Sequence, residues 1–139
     1  MKKIFIGQTF KIKKAFTQSE VIIFSNICGD KNPIHWDKEY CKTTIFKKPI
    51  VFGMLGASLF SNLLGNNFEG AIYMNQTLKF LKPIFIDEEV EAVVTVESFN
   101  LVKDNMILKT QVIKSLTNQI AVDGDAIIKI NLDKYEILH

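Results

Sequence analysis

The sequence contains no arginine: all 17 of its basic residues are lysine, set against 15 acidic ones. The resulting formal net charge of +2 is too small to attract a polyanion. The lysines cluster only briefly, at Lys2-Lys3, Lys13-Lys14 and Lys47-Lys48, with no aromatics alternating among them. Neither nucleic acid nor an anionic membrane surface is therefore an expected partner. Cysteine is almost as scarce. Cys28 and Cys41 are too few for a disulfide framework and match no CxxC pattern, so reduced thiols and a cytoplasmic location are expected. Together with Asp30 and His35 they could form a four-ligand set, but the spacing departs from the common zinc patterns and no metal is expected. The apolar run after Lys2-Lys3 is broken at Gly7-Gln8, too soon for a signal peptide. No run is long enough for a membrane span. The nearest, Pro49 to Leu64, is preceded by Lys47-Lys48 and closed by Gly65-Asn66-Asn67, which suits a core helix better. Repeats, low-complexity tracts and linkers are also lacking. What remains is 139 residues with 47% hydrophobic content, enough for a single domain over 1–139 with one core.

Within that domain the patterning changes once. Residues 8–16 show partial alternation and predict a first strand. Thr17-Gln18-Ser19-Glu20 reads as a capping box, opening a helix over 18–28 that ends near Gly29. Asp37 can cap a short helix over 38–42. Pro49 to Leu64 carries no charge and has small residues at Gly53, Gly56, Ala57, Ser58 and Ser61. This predicts a helix starting near 51–53 and packed closely on all sides. After Gly70 the chain becomes strand-like: 71–82, then an alternating strand holding Val90, Ala92, Val94 and Val96, then 106–115 and 120–132. Turns fall at Asp104-Asn105 and Thr117-Asn118. The order is strand, helix, loop, buried helix and four strands. The fold class is α+β, with a curved antiparallel sheet wrapped around one long central helix.

The loop Gly29-Asp30-Lys31-Asn32-Pro33-Ile34-His35 holds the densest polar chemistry. Pro33 fixes its own φ and pushes Asn32 toward extended backbone, while Gly29 permits a positive φ. A bend of this kind can bring the Asp30 carboxylate and the His35 imidazole to one water, the acid–base pairing that addition or removal of water requires. Asn32 offers a donor and an acceptor to orient that water. The same composition also suits an ordinary turn with a structural histidine, and spacing alone leaves the two readings even. At the helix start, the backbone N–H of Gly53 could polarise a carbonyl oxygen, oxyanion-hole fashion. Gly53 and Gly56 could equally serve close packing, and the residues by themselves favour that.

The stretch FSNICGDKNPIHWDKEYCKTTIFKKPIVFGMLGASLFSNLLG resembles the signature of the R-specific enoyl-CoA hydratases, the MaoC-like dehydratases. The family pattern is an aromatic and a small residue before Gly-Asp-x-Asn-Pro-x-His, then Thr-Thr-x-Phe, Pro-Ile-Val-x-Gly-Met and a small-residue helix. Phe24, Cys28, Gly29, Asp30, Asn32, Pro33 and His35 stand in those places. The resemblance implies a hot-dog fold over essentially the whole chain. It implies hydration of trans-2-enoyl-CoA to (R)-3-hydroxyacyl-CoA, or the reverse, on an acyl-CoA thioester partner. Asp30 and His35 match the catalytic pair, Asn32 a water-positioning residue, Gly53 the oxyanion donor and Ser61 a serine near the site. No metal or cofactor is implied, because the thioester itself makes C3 electrophilic. A homodimer joined edge to edge through the sheets is also implied. One position departs: where the family most often has histidine before this glycine, the chain has Phe52.

Other readings fall into two classes. One is a dehydratase acting on acyl-carrier-protein thioesters with the same Asp–His pair. The other is a non-catalytic acyl-thioester binding subunit, expected to have lost Asp30 or His35, which are both intact. Thioesterases, and acyl-carrier-protein dehydratases like those of fatty-acid synthesis, that place an acid on the central helix are disfavoured, since Pro49 to Leu64 contains no acidic residue. Leu59, Leu63, Leu64 and Phe68 are candidates for an acyl pocket or for plain core, and Lys47-Lys48 for contact with CoA phosphates, with ordinary surface as the favoured alternative.

Overall fold

The computed structural model describes residues 1–139. Strand β1 (Lys2–Phe5) leads into β2 (Thr9–Ala15) and helix α1 (Gln18–Cys28). A 3-10 turn (Pro33–His35), a short helix α2 (Lys38–Cys41) and the long helix α3 (Gly53–Asn67) follow. The rest is β3 (Ile72–Gln76), β4 (Lys79–Phe80), β5 (Glu89–Asn100), β6 (Asn105–Lys114), β7 (Ile120–Lys129), a 3-10 turn (Leu132–Lys134) and β8 (Tyr135–Leu138). The main sheet runs β2-β5-β6-β7-β3, with β4 also paired to β7 and every pairing antiparallel. This is the expected α+β sheet on a central helix.

The core is the face of this sheet that meets α3. Val90, Ala92, Val94 and Val96 of β5 are fully or almost fully buried, as are Met106, Leu108 and Val112 of β6 and Val122, Ala126 and Ile128 of β7. Their helix partners are Ala57, Leu59, Phe60, Leu63 and Leu64. Each of the larger of these side chains contributes roughly 1.5–3 kcal/mol when removed from water. The α1 capping box forms as read: Thr17 accepts from the Glu20 N–H, and Glu20 accepts from the Thr17 N–H.

Several boundaries differ from the sequence reading. Helix α3 is not enclosed on all sides; Met54, Ser58, Ser61, Asn62 and Gly65 form an exposed stripe, because one sheet can cover only one face of a helix. It begins at Gly53, within the expected start, but runs on through Gly65 to Asn67, since a single helical glycine costs only about 1 kcal/mol. Residues 71–82 form two strands, with a register shift between Tyr73 and Asn75. The alternation expected over 120–132 slips at its start. A bulge between Val112 and Ile113 lets neighbouring Ala121 and Val122 both turn inward and leaves Ile120 exposed. The parallel pair β1–β8 was not foreseen, because it joins the chain's two ends and no local pattern encodes that. No helix is long and apolar enough to cross a membrane.

Candidate active site

Helix α1 ends at Gly29, whose left-handed φ of 82° turns the chain out of the helix while its N–H donates to the Ser25 carbonyl. The loop then builds itself from its own side chains. The Asp30 carboxylate accepts from the Asn32 N–H at 2.9 Å, and the Asn32 side-chain oxygen accepts from the Ile34 N–H at 3.2 Å, capping the 3-10 turn that carries His35. The Cys41 thiol, buried beneath, donates to the Ile34 carbonyl at 3.3 Å. Burial pushes that thiol's pKa up, with the Asp37 charge adding to the effect.

His35 is only 9% exposed. Its Nδ1 lies 2.8 Å from the Ile50 carbonyl. A carbonyl can only accept, so Nδ1 carries the proton and Nε2 of the neutral ring keeps its lone pair. Ile50 is itself fixed, donating its N–H to the Ile34 carbonyl and bridging to Phe85. One face of the imidazole lies on the phenyl ring of Phe52, with centroids 3.7 Å apart.

Asp30, His35 and Gly53 line one cleft of about 690 Å³. Its walls are mostly apolar and include Phe24, Phe46, Met54, Phe80, Leu81 and Ile84. Gly53 opens α3, and no side chain caps that end, so the first-turn N–H groups remain available on the side where the cleft lies. The opposite wall, 80–84, is pinned from behind. Val51 N–H donates to the Ile84 carbonyl at 2.7 Å. Buried Lys114 donates to the Pro83 carbonyl at 2.7 Å and pairs with Glu88 at 3.2 Å.

Two of the sequence candidates, Asn32 and Ser61, stand outside the cleft. Asn32 does not line the cleft; its side-chain oxygen is spent on the turn. Ser61 is exposed on the outer stripe of α3, away from the lining. Phe52 lies within the site, buried and stacked on His35. Leu59, Leu63, Leu64 and Phe68 belong to the core and not to the cleft. Lys48 sits over the Phe85 ring at 4.3 Å, and Lys47 reaches back to the Lys42 carbonyl. The cation in the cleft wall is Lys82, which sequence reasoning missed because nothing nearby in the chain marks residues 80–84 as neighbours of the loop. Of the four sulfur, carboxylate and imidazole side chains weighed as a metal set, Cys28 lines the cleft beside Asp30 and His35, whereas the Cys41 thiol faces the loop carbonyls. No group of three or more His, Cys, Asp or Glu side chains is close enough to hold a metal ion.

Known proteins resemble this chain over most of its length. The model of the MaoC like domain matches residues 4–119. An (R)-specific enoyl-CoA hydratase of Aeromonas caviae is 39% identical over 127 residues, covering 90% of this chain and 94% of that protein. A mitochondrial 3-hydroxyacyl-acyl-carrier-protein dehydratase of Solanum lycopersicum is 37% identical, covering 87% of this chain and 74% of that protein. Among solved structures, the (R)-hydratase from A. caviae involved in PHA biosynthesis superposes with a TM-score of 0.87 at 39% identity, over 91% of this chain and 96% of that one.

Proposed function

The chain belongs to the MaoC-like dehydratase family, and from that premise we propose that it is an (R)-specific enoyl-CoA hydratase, a hydro-lyase that adds water to trans-2-enoyl-CoA or removes it from (R)-3-hydroxyacyl-CoA. The observation that carries this reading is the pairing of an ionisable carboxylate with a tautomer-fixed imidazole in one apolar cleft beside an uncapped helix end.

In this mechanism one water donates hydrogen bonds to the free Asp30 oxygen and to His35 Nε2. The enoyl thioester enters with its carbonyl oxygen toward the Gly53 N–H, where the growing enolate charge is stabilised. As the water oxygen bonds to C3, its proton passes to the acid–base pair and the electron pair of the C2–C3 double bond moves toward the thioester. The same pair then returns a proton to C2 on the same face, so one water is consumed and the enzyme ends in its starting state. The thioester supplies the electrophile, so the reaction calls for no metal or organic cofactor. Lys82, the cation in the cleft lining, would meet anionic parts of the CoA moiety in this reading. Asn32 acts by shaping the loop that presents Asp30 and His35.

Purified protein is expected to lower the conjugated-enoyl absorbance of crotonyl-CoA to its equilibrium level and give the R product. No loss of absorbance, or an S product, refutes the assignment. Asp30→Asn and His35→Ala should each lower turnover by roughly a hundredfold or more while the protein stays folded. Near-wild-type turnover in either removes that residue from its role. The likeness to the tomato protein favours a second reading, the same chemistry on an acyl-carrier-protein thioester. Comparing kcat/KM for crotonyl groups on the two carriers separates them.

A further inference from the structure

His35 is held at two points, and one of them is a side chain the reaction does not consume. Its Nδ1–H donates to Ile50 at 2.8 Å. Its ring lies on Phe52 with the planes 26° apart. A single in-plane hydrogen bond leaves an imidazole free to rock, because the terminal torsion of histidine is broad. A flat ring against the face of the imidazole removes that freedom. Phe52 is 5% exposed, and its own ring is backed by Phe24 at a centroid distance of 5.0 Å. Phe52 is also the residue from which α3 departs: it is the N-cap, extended at φ −56° and ψ 131°, and it makes no capping hydrogen bond with its side chain. One rigid residue thus touches the proton-transfer group with its ring and sets the direction of the Gly53 N–H with its backbone.

We propose that Phe52 is a positioning residue that holds the His35 imidazole in register with the start of α3, and so sets the spacing between proton transfer and carbonyl polarisation. Its catalytic consequence rests on the hydratase reading; its effect on the His35 ring does not. The competing account is a core filler, for which any apolar side chain of similar size would serve.

The variants Phe52→Leu and Phe52→Tyr separate the two. Leucine keeps most of the apolar volume and loses the flat face, whereas tyrosine keeps the face. Phe52→Met repeats the non-aromatic test with a more adaptable side chain. With crotonyl-CoA, kcat is expected to fall roughly ten- to a hundredfold in the leucine and methionine variants, with KM within about twofold of wild type. The tyrosine variant keeps most of the turnover. Nitrogen-15 NMR of the histidines reads the ring directly, and only His35 and His139 contribute signals. In alkaline buffer the wild type is expected to show a single Nδ1–H tautomer for His35, and the non-aromatic variants a mixture. A folded non-aromatic variant with wild-type kcat overturns the proposal, as does a loss of kcat with an unchanged His35 spectrum. If the wild type fails to hydrate crotonyl-CoA, the functional reading falls, and the spectra alone then uphold or overturn the orienting role of Phe52.

Discussion

Gly53 shows how little room the site allows. A Cβ built there would lie 2.5 Å from the Phe80 ring, which forms part of the cleft wall. Phe80 is 53% exposed, so its ring can swing away at modest cost. Gly53→Ala is therefore expected to fold with a melting temperature within a few degrees of wild type, yet to lose roughly tenfold or more in kcat/KM as the wall moves off the reacting carbon. Steady-state kinetics beside thermal melting checks this; unchanged kinetics would mean that the ring does not shape the productive pose. Asp30 and His35 could be read as a pair because acid, proline and histidine lie within one short loop. Phe52 could be marked only as a departure from a pattern. That its ring would lie on His35 depends on a fold between residues 17 positions apart in the chain, which carries no local trace.

At the level of single elements, local chemistry was legible wherever the partners are neighbours in sequence. The Thr17–Glu20 box, the Gly29 cap and the turns at Asp104 and Asn118, both with positive φ, are of this kind. Gly124 is not. It reads as one more inward position of an alternating strand, but a Cβ there would meet the Thr77 carbonyl oxygen at 1.8 Å. The β3–β4 junction passes directly over it, fastened by the Thr77 N–H to the Asp125 carbonyl and by the Asp125 N–H to the Thr77 hydroxyl, both at 2.9 Å. Backbone cannot swing aside as an exposed ring can. Gly124→Ala is expected to destabilise by roughly 1–3 kcal/mol or more, and a two-state denaturant titration measures it. A loss below about 0.5 kcal/mol would show that the junction yields freely.

On the scale of the molecule, β3 is one of the two edges of the sheet, opposite β2, and carries apolar side chains that nothing in the chain covers. Ile72 is 57% exposed and Met74 58%. An unpaired apolar edge is an invitation to a further strand. The homodimer that the family resemblance implies, two sheets joined edge to edge, would answer it. Sedimentation at micromolar concentration is expected to give twice the chain mass, and Met74→Asp to shift the protein toward monomer. A wild-type monomer, or a dimer indifferent to that charge, would place the interface elsewhere or remove it.

Periodicity and turn chemistry determined the fold class, the central helix and the tight loop that carries Asp30 and His35, because each is set by residues within a few positions of one another. The tertiary structure alone decided the pairing of the two chain ends, the exposed stripe that carries Ser61, the cleft wall at 80–84 with Lys82, and the ring of Phe52 on His35. All four depend on segments distant in sequence being packed against each other, and that packing is governed by the shape of the whole core.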